Sequence, residues 1–257
     1  MAGRKRELEI GHLYPGLMNL YGDRGNIIAM KHRASLRGIQ VKVTALNPGS
    51  VVDRGRYHLF FLGGGQDAEQ SIIYKDFIET KGAALSEELK QGAACLAVCG
   101  GYQLLGNWYE IRGGHRIDGI GFLDVITRSG RWRTIGNILI RSRLGDRETE
   151  LVGFENHGGR TFLREEVVPL GEVIAGGGNN GEDGGEGALF RSTVGTYLHG
   201  PVLPKNPVLT DFLIEKGLQR EDPAFVLPEM EACFEKRAFE SARAITLAEQ
   251  GKKRERF

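Results

Sequence analysis

The sequence is short of cysteine, of charge imbalance and of long apolar runs. Three cysteines in 257 residues are too few, and an odd number, for a disulfide framework. No stretch reaches the ~18 consecutive apolar residues of a membrane span, so no transmembrane helix is expected. The formal net charge of +1 gives no face-wide electrostatic footprint for nucleic acid. The basic groups Arg4-Lys5-Arg6 and Lys252-Lys253-Arg254 read as solvated ends. Arg4 to Glu7 are not followed by the apolar core of a signal peptide. The expected setting is therefore reducing, the cytoplasm. There is also no Gly-x-x-x-x-Gly-Lys-[Ser/Thr] and no other nucleotide-binding fingerprint, and no metal site is expected.

What is present is an ordinary globular composition, 40% hydrophobic and 26% charged, with 38 glycines. Several glycines fall at apparent strand ends, where turns around a site need them. The stretch Ala93-Ala94-Cys95-Leu96-Ala97-Val98 has the small-residue apolar pattern of a strand buried on both faces. From Tyr102 the apolar spacing is helical. Only Cys99, Gly100 and Gly101 join the two. A strand that turns into a helix at a Cys followed by two glycines has the pattern of a nucleophile elbow. The helix start favours thiolate over thiol. Cys99 is the expected nucleophile, whereas Cys95, inside the strand, reads as a structural cysteine.

Taken in order, residues 7–15 suit a first strand ending at Pro15. A polar loop with Asp23 as a helix cap precedes a helix over 24–37. Its apolar stripe is Ile27, Ile28, Met30, Ala34 and Leu36, and it ends at Gly38. Strands are expected at 41–46 and 57–62, the latter running into Gly63-Gly64-Gly65, then a helix over 67–91 broken near Gly82. This β-α-β-β-α-β order argues for a doubly wound, mostly parallel α/β sheet flanked by helices. The second half reads as an antiparallel extension. Strands are expected at 135–140 and 151–155, a glycine-rich hairpin or mobile loop over 176–187, and strands at 188–190 and 194–198. Helices over about 206–218 and 229–248 finish the chain, with no linker that forces two domains, so 1–257 is read as one domain with its core at about 8–215.

A thiolate that attacks a carbonyl needs a base, oxyanion donors and a pocket. His199 stands at the end of an apolar strand, just before Gly200 and Pro201, and is the expected base. His157, in Phe154-Glu155-Asn156-His157-Gly158-Gly159, reads as another strand end and is its rival. Gly64 and Gly100 are the natural oxyanion donors, since glycine admits close backbone approach.

The motifs Gly-Gly-Gly-Gln-Asp at 63–67, Val-Cys-Gly-Gly-Tyr-Gln-Leu-Leu-Gly at 98–106 and Leu-His-Gly-Pro at 198–201 resemble class I (triad-type) glutamine amidotransferase domains, and most of all the cobyric-acid-synthase branch. Within that branch, Leu-Met-Asn-Leu-Tyr-Gly-Asp-Arg-Gly-Asn-Ile at 17–27 and Phe-Glu-Asn-His-Gly-Gly-Arg-Thr at 154–161 are similar to the glutaminase subunits of enzymes that amidate the peptidoglycan precursor lipid II. The resemblance covers roughly residues 8–215. It implies a flavodoxin-like fold and a Cys99 thioester formed on L-glutamine, with His199 protonating the departing ammonia and activating water. It implies Gln103 as an orienting residue and an arginine on the substrate carboxylate, which Arg133 matches best, with Arg131 close by.

Two absences sharpen that resemblance. Many class I members carry His-x-Glu, but here the sequence is His199-Gly200-Pro201, so the orienting acid is missing, as in the rest of the branch. A Cys–His dyad, Glu155 or a partner's carboxylate would have to serve. Amidation also needs an activated carboxylate, and this chain has no ATP fingerprint. The resemblance therefore implies a Mur-ligase-like partner of the MurT type, holding ATP and Mg and acting on the D-glutamate of lipid II. The alternatives are a cobyric-acid-synthase-like subunit acting on another carboxylate acceptor, such as a corrinoid ring, or a Cys hydrolase on the same fold.

Overall fold

The computed structural model describes residues 6–65, 67–111, 113–230 and 233–254, and Gln66 of the Gly-Gly-Gly-Gln-Asp motif lies outside them, as do Arg4 and Lys5. In chain order the first half gives β1 (Glu7–Leu13), α1 (Arg24–Ser35), β2 (Gln40–Leu46), β3 (Leu59–Leu62), α2 (Asp67–Asp76), α3 (Ala83–Lys90), β4 (Ala94–Val98) and α4 (Gly100–Leu105). The second half gives β5 (Trp108–Glu110), β6 (Arg116–Asp118), β7 (Val125–Leu144), β8 (Arg147–Leu163), β9 (Gly171–Ala175), β10 (Gly185–Glu186), β11 (Ala188–Phe190) and β12 (Thr193–Thr196). The helices α5 (Pro207–Gln219) and α6 (Cys233–Arg254) follow.

The first sheet runs β11-β12-β4-β3-β1-β2 and is parallel except at β11. Every residue of β3 and β4 is buried, as continuous apolar runs require in a sheet covered on both faces. Phe60 and Phe61 contribute about 1.5–3 kcal/mol each by leaving water. Strand order reverses between β1 and β3, which opens a crevice at the carboxyl ends of the strands. The parallel α/β architecture read from the sequence is thus the observed one.

Local departures have local causes. The first strand stops at Leu13, because Tyr14 turns the chain with φ 50° before Pro15 is reached. On α1, Ile27, Met30 and Ala34 face the core, but Ile28 and Leu36 are 62% and 58% exposed. Positions 27, 30 and 34 share a helical face that 28 and 36 only flank. The break expected near Gly82 is a π-helical turn, Phe77–Gly82, between α2 and α3. A Cβ at Gly82 would stand 2.8 Å from Ile120 Cγ2, so the glycine admits that contact.

The second sheet, β10-β9-β7-β5-β6 with β8 on β7, is built around a long antiparallel ribbon. The two short strands expected at 135–140 and 151–155 are the middle of β7 and β8, which continue well beyond them. Gly145, at φ 65°, makes the tight turn between them. The pairing slips between Ser129 and Thr134, leaving a bulge at the ribbon's other end. The glycine-rich segment forms a hairpin, with β10 pairing β9. Helix α6 packs Phe239, Ala242 and Leu247 against Leu139, Val152 and Ala175 of this sheet. One apolar cluster runs from β1, β3 and β4 through to Ile138, Ile140 and Leu151. Among the described residues no helix is long and apolar enough to cross a membrane.

Candidate active site

The strand ends of the first sheet are level: Leu13 pairs Leu62, Leu62 pairs Ala97, and Thr196 pairs Val98. Cys99 is the next residue after β4 and adopts φ 50°, ψ −106°, a conformation that costs an L-residue on the order of 1–3 kcal/mol. Neighbouring backbone holds it there. Its N–H donates to Thr196 O at 2.9 Å, and its carbonyl accepts from Gln103 N–H at 3.0 Å. The two glycines that follow are dictated by space. A Cβ at Gly100 would lie 2.6 Å from Gln70 Nε2, and one at Gly101 would lie 2.6 Å from Leu62 O. Cys95 is buried inside β4, and burial pushes its thiol well above the ordinary range.

Cys99 opens onto a cavity of about 740 Å³. Gly65, Gln70 and Gln103 line it on the side of the first sheet; Arg131, Arg133 and His157 line it on the side of the β7–β8 ribbon. Gln103 donates from Nε2 to Tyr197 Oη at 3.2 Å, and Tyr197 in turn meets Thr161 Oγ1 at 2.7 Å. Both arginines reach the cavity. Arg133 forks onto Asn156, with contacts of 3.0 and 2.8 Å to Oδ1 and 2.9 Å to the backbone O. Its charge acts on both His157 and His199.

His199 follows β12 and is fully buried, with its backbone paired to Phe154 in both directions. Burial, with His157 and Arg133 adding to it, pushes its pKa down to about 4, so the ring is neutral at pH 7. His157 does not end a strand as expected; it sits inside β8, opposite Thr134, because the ribbon continues to Leu163. Its ring stacks on Tyr197 at 3.9 Å, and Nδ1 lies 2.9 Å from Gly159 O. Burial likewise pushes His157 down to about 4, against the Gly159 and Gly178 carbonyls, which raise it.

Two expectations change. Asp23 occupies the N-cap position of α1 but makes no side-chain cap. Its Oδ2 instead accepts the N–H of Gly64 at 2.6 Å, so the Gly64 donor is already engaged and it is Gly65 that lines the cavity. The Glu155 carboxylate accepts the N–H groups of Gly177 at 2.8 Å and Gly178 at 3.0 Å, which fix its orientation. The long-range partners of both acids carry no local sequence signal. Gln70, Asn156 and Tyr197 are site residues that sequence reasoning missed. Gln70, whose Nε2 donates to Gly65 O at 3.0 Å, offered one clue: it stands one helical turn after the Gly-Gly-Gly-Gln-Asp motif.

The comparisons with known proteins agree with this geometry. Residues 9–207 match the CobB/CobQ-like glutamine amidotransferase domain family. The chain is 42% identical over 225 residues to the lipid II isoglutaminyl synthase (glutamine-hydrolyzing) subunit GatD of Staphylococcus aureus (strain N315), covering 88% of this chain and 90% of that one. It is 41% identical over 216 residues to the subunit of the same name from Streptococcus pneumoniae (strain ATCC BAA-255 / R6), covering 84% and 82%. A probable cobyric acid synthase of Methanosphaera stadtmanae is more distant, at 31% over 140 residues, covering 49% of this chain and 28% of that one. A strained cysteine between a buried strand and two sterically required glycines, read together with these matches, places the chain in the CobB/CobQ-like glutamine amidotransferase family.

Proposed function

We propose that this chain is the glutamine-hydrolysing subunit of a lipid II isoglutaminyl synthase, and that Cys99 and His199 carry its chemistry. The observation that bears most weight is the positive-φ Cys99 at the cavity that Gln103 and Arg133 also line. In this reading, His199 takes the thiol proton of Cys99 as Sγ attacks the side-chain carbonyl of L-glutamine. The C–N bond breaks as His199 passes a proton to the departing ammonia. His199 then takes a proton from water, whose oxygen opens the glutamyl thioester to release glutamate. At pH 7 the His199 ring is neutral, the form that can accept a proton. Gly100 N–H lies next to the nucleophile as an oxyanion donor. Arg133, pre-oriented by Asn156, takes the α-carboxylate, and Gln103, tethered to Tyr197, orients the substrate.

The ammonia needs an acceptor and an energy source. The near full-length likeness to two GatD subunits supports the D-glutamate of lipid II as the acceptor. The missing ATP fingerprint supports a separate Mur-ligase-like partner of the MurT type, holding ATP and Mg. The buried thiols Cys95 and Cys99 suit a reducing, cytoplasmic setting. The acid behind His199 is absent from the chain's own His-Gly-Pro motif. A partner carboxylate would supply it and make hydrolysis depend on assembly; an isolated chain that turns over glutamine as fast as the complex would dispose of that version.

The deciding measurement is amidation by the assembled complex. Cys99→Ala is expected to lose glutamine-dependent amidation by a factor on the order of 10⁴ or more, while ammonia-dependent amidation continues. Loss of both activities would mean that Cys99 is a structural residue and that the glutaminase assignment is wrong.

A further inference from the structure

We infer that Asp23 is a positioning residue: it fixes the Gly63-Gly64-Gly65 loop so that Gly65, and not Gly64, presents its backbone N–H to the oxyanion formed at Cys99. This rests on the glutaminase reading.

The loop is held from three sides. Asp23 Oδ2 takes the Gly64 N–H at 2.6 Å, across 41 residues of chain. Leu20 N–H donates to Gly64 O at 3.0 Å. Gln70 Nε2 donates to Gly65 O at 3.0 Å. The second contact sets the plane of the peptide that joins Gly64 to Gly65. In a trans peptide the C=O and the following N–H point in opposite directions. With Gly64 O turned to Leu20, Gly65 N–H is turned away from it. Gly65 lines the cavity with Cys99, and its carbonyl would lie 2.9 Å from a Cβ on Gly100. The two backbone segments are therefore in close apposition beside the nucleophile.

The loop that carries Asp23 crowds all three glycines, most severely Gly63. A Cβ at Gly63 would lie 2.2 Å from Met18 O, and one at Gly65 would lie 2.4 Å from Met18 Sδ. At Gly64 a Cβ would meet Asp23 Oδ2 and His199 Cε1, each at 3.2 Å. The segment Met18–Asp23 thus clamps the glycines against the candidate base. Asp23 is fully buried, and its Oδ1 has no hydrogen-bond partner among the described residues. Burial raises its pKa to about 6 against the Gly64 hydrogen bond, which lowers it. A carboxyl kept there at that cost, and not used to cap α1, has the Gly64 amide as its structural work. The acceptor oxygen is what the loop requires, so an amide in its place should serve.

The test compares Asp23→Ala and Asp23→Asn in the full chain, assembled with its ligase subunit where turnover requires it. Three readouts are taken: kcat and KM for glutamine, the inhibition constant of glutamate γ-semialdehyde, and the rate at which iodoacetamide alkylates Cys99. The semialdehyde adds its carbonyl carbon to Cys99 Sγ as a reversible thiohemiacetal, which places an oxygen at the oxyanion position. Asp23→Ala is expected to lower kcat and weaken the semialdehyde by the same factor, roughly 10–100, with KM and alkylation within about two-fold of the parent. Asp23→Asn is expected to recover kcat to within about three-fold, since its Oδ1 still accepts the Gly64 N–H. Gln70→Met, which removes the donor to Gly65 O, is expected to give the same kcat-only loss and serves if Asp23→Ala does not fold. Unchanged kcat in both Asp23→Ala and Gln70→Met overturns the inference. So does a loss in Asp23→Asn as large as in Asp23→Ala, which would make the charge the essential feature. A parent chain that forms no semialdehyde adduct at Cys99 would instead overturn the glutaminase reading itself.

Discussion

The cavity has two walls of different character. In the wall from the parallel sheet, backbone positions at Gly65 and Cys99 stand at the ends of strands buried on both faces, with Gln70 and Gln103 beside them. The wall from the antiparallel ribbon is side chain: Arg131, Arg133 and His157, on a ribbon whose end carries a bulge and faces solvent. Backbone positions in a close-packed interior are fixed by hard contact and tolerate little change. Side chains on an exposed ribbon are set by hydrogen bonds such as the Arg133–Asn156 fork. In our reading the first wall holds reacting atoms and the second recognises the amino-acid head of the substrate. Among the connections that join them are the Phe154–His199 backbone pair, the acceptance by Glu186 Oε1 of the Thr196 hydroxyl and the Tyr197 N–H at 2.7 Å each, and the bonds of Asn206 to Val152.

If the first wall is as rigid as this comparison holds, one added methyl should break it. Gly195, in β12, pairs with Ala97 beside the elbow. A Cβ there would lie 2.2 Å from Tyr102 Cδ2, on a ring that is itself fully buried and packed edge-on against Tyr197 at 5.3 Å. Gly195→Ala is expected to cost more than about 3 kcal/mol, at the upper end for overpacked cores, measured as a shift in the urea midpoint. The Tyr102 ring has no space to withdraw, so the strand must move and carry Cys99 with it. A cost below about 1 kcal/mol would mean that the wall yields, and the comparison would lose its basis.

The same contrast governs what the sequence disclosed. The elbow was legible because every determinant is local: a five-residue apolar run, a cysteine and two glycines in succession. The parallel order was legible because strands buried on both faces read as uninterrupted apolar segments. The ribbon is longer than its sequence suggests because its one continuous buried run is Ile138, Leu139 and Ile140, while Arg128 to Arg133 are mostly polar and largely exposed. Its full length depends on cross-strand pairing with β8, a property of two distant segments at once. Asp23 reads as a cap because its partner, Gly64, lies 41 residues away. His157 was noticed for the wrong reason: it reaches the cavity from within a strand that simply did not end there.

The seam between the walls should respond to pH in a direction set by Glu186. Burial raises its carboxyl from 4.5 to about 7, with Glu155 adding to the shift and the Thr196, Tyr197 and Gly187 groups opposing it. The folded chain therefore holds this proton more tightly than the unfolded chain. That contribution is complete below pH 4.5 and is lost as pH rises through about 7. The shift corresponds to at most roughly 3 kcal/mol. In Glu186→Gln the amide still accepts from Thr196 and Tyr197 but cannot ionise. The variant's stability relative to the parent is expected to rise between pH 5 and pH 8 by about 2 kcal/mol, read from paired thermal melts across that range. His12, His157 and His199, each pushed down to about 4, act oppositely, losing stability as pH falls below 6.5. They are common to both proteins, so the difference between the melts isolates Glu186. A difference that is flat with pH would mean that Glu186 ionises normally and that the seam carries a charge at pH 7.

At the other extreme stands Trp132, on the bulge of β7 between Arg131 and Arg133, at the cavity's rim. It is the largest side chain of that wall and is 78% exposed. Only its backbone carbonyl is tied in, accepting from Arg160 at 3.0 Å. Trp132→Ala removes an indole yet leaves that carbonyl in place and opens no cavity, since solvent already occupies most of the surroundings. The expected change in unfolding free energy is within about 0.5 kcal/mol, the range of surface substitutions away from special features. Placed beside Gly195→Ala, the inequality is what matters: adding one carbon to the first wall should cost several times more than removing a whole indole, eight carbons and a nitrogen, from the second. A Trp132→Ala cost approaching 2 kcal/mol would show that the rim is packed in solution, and the ribbon would then have to be treated as a second rigid wall.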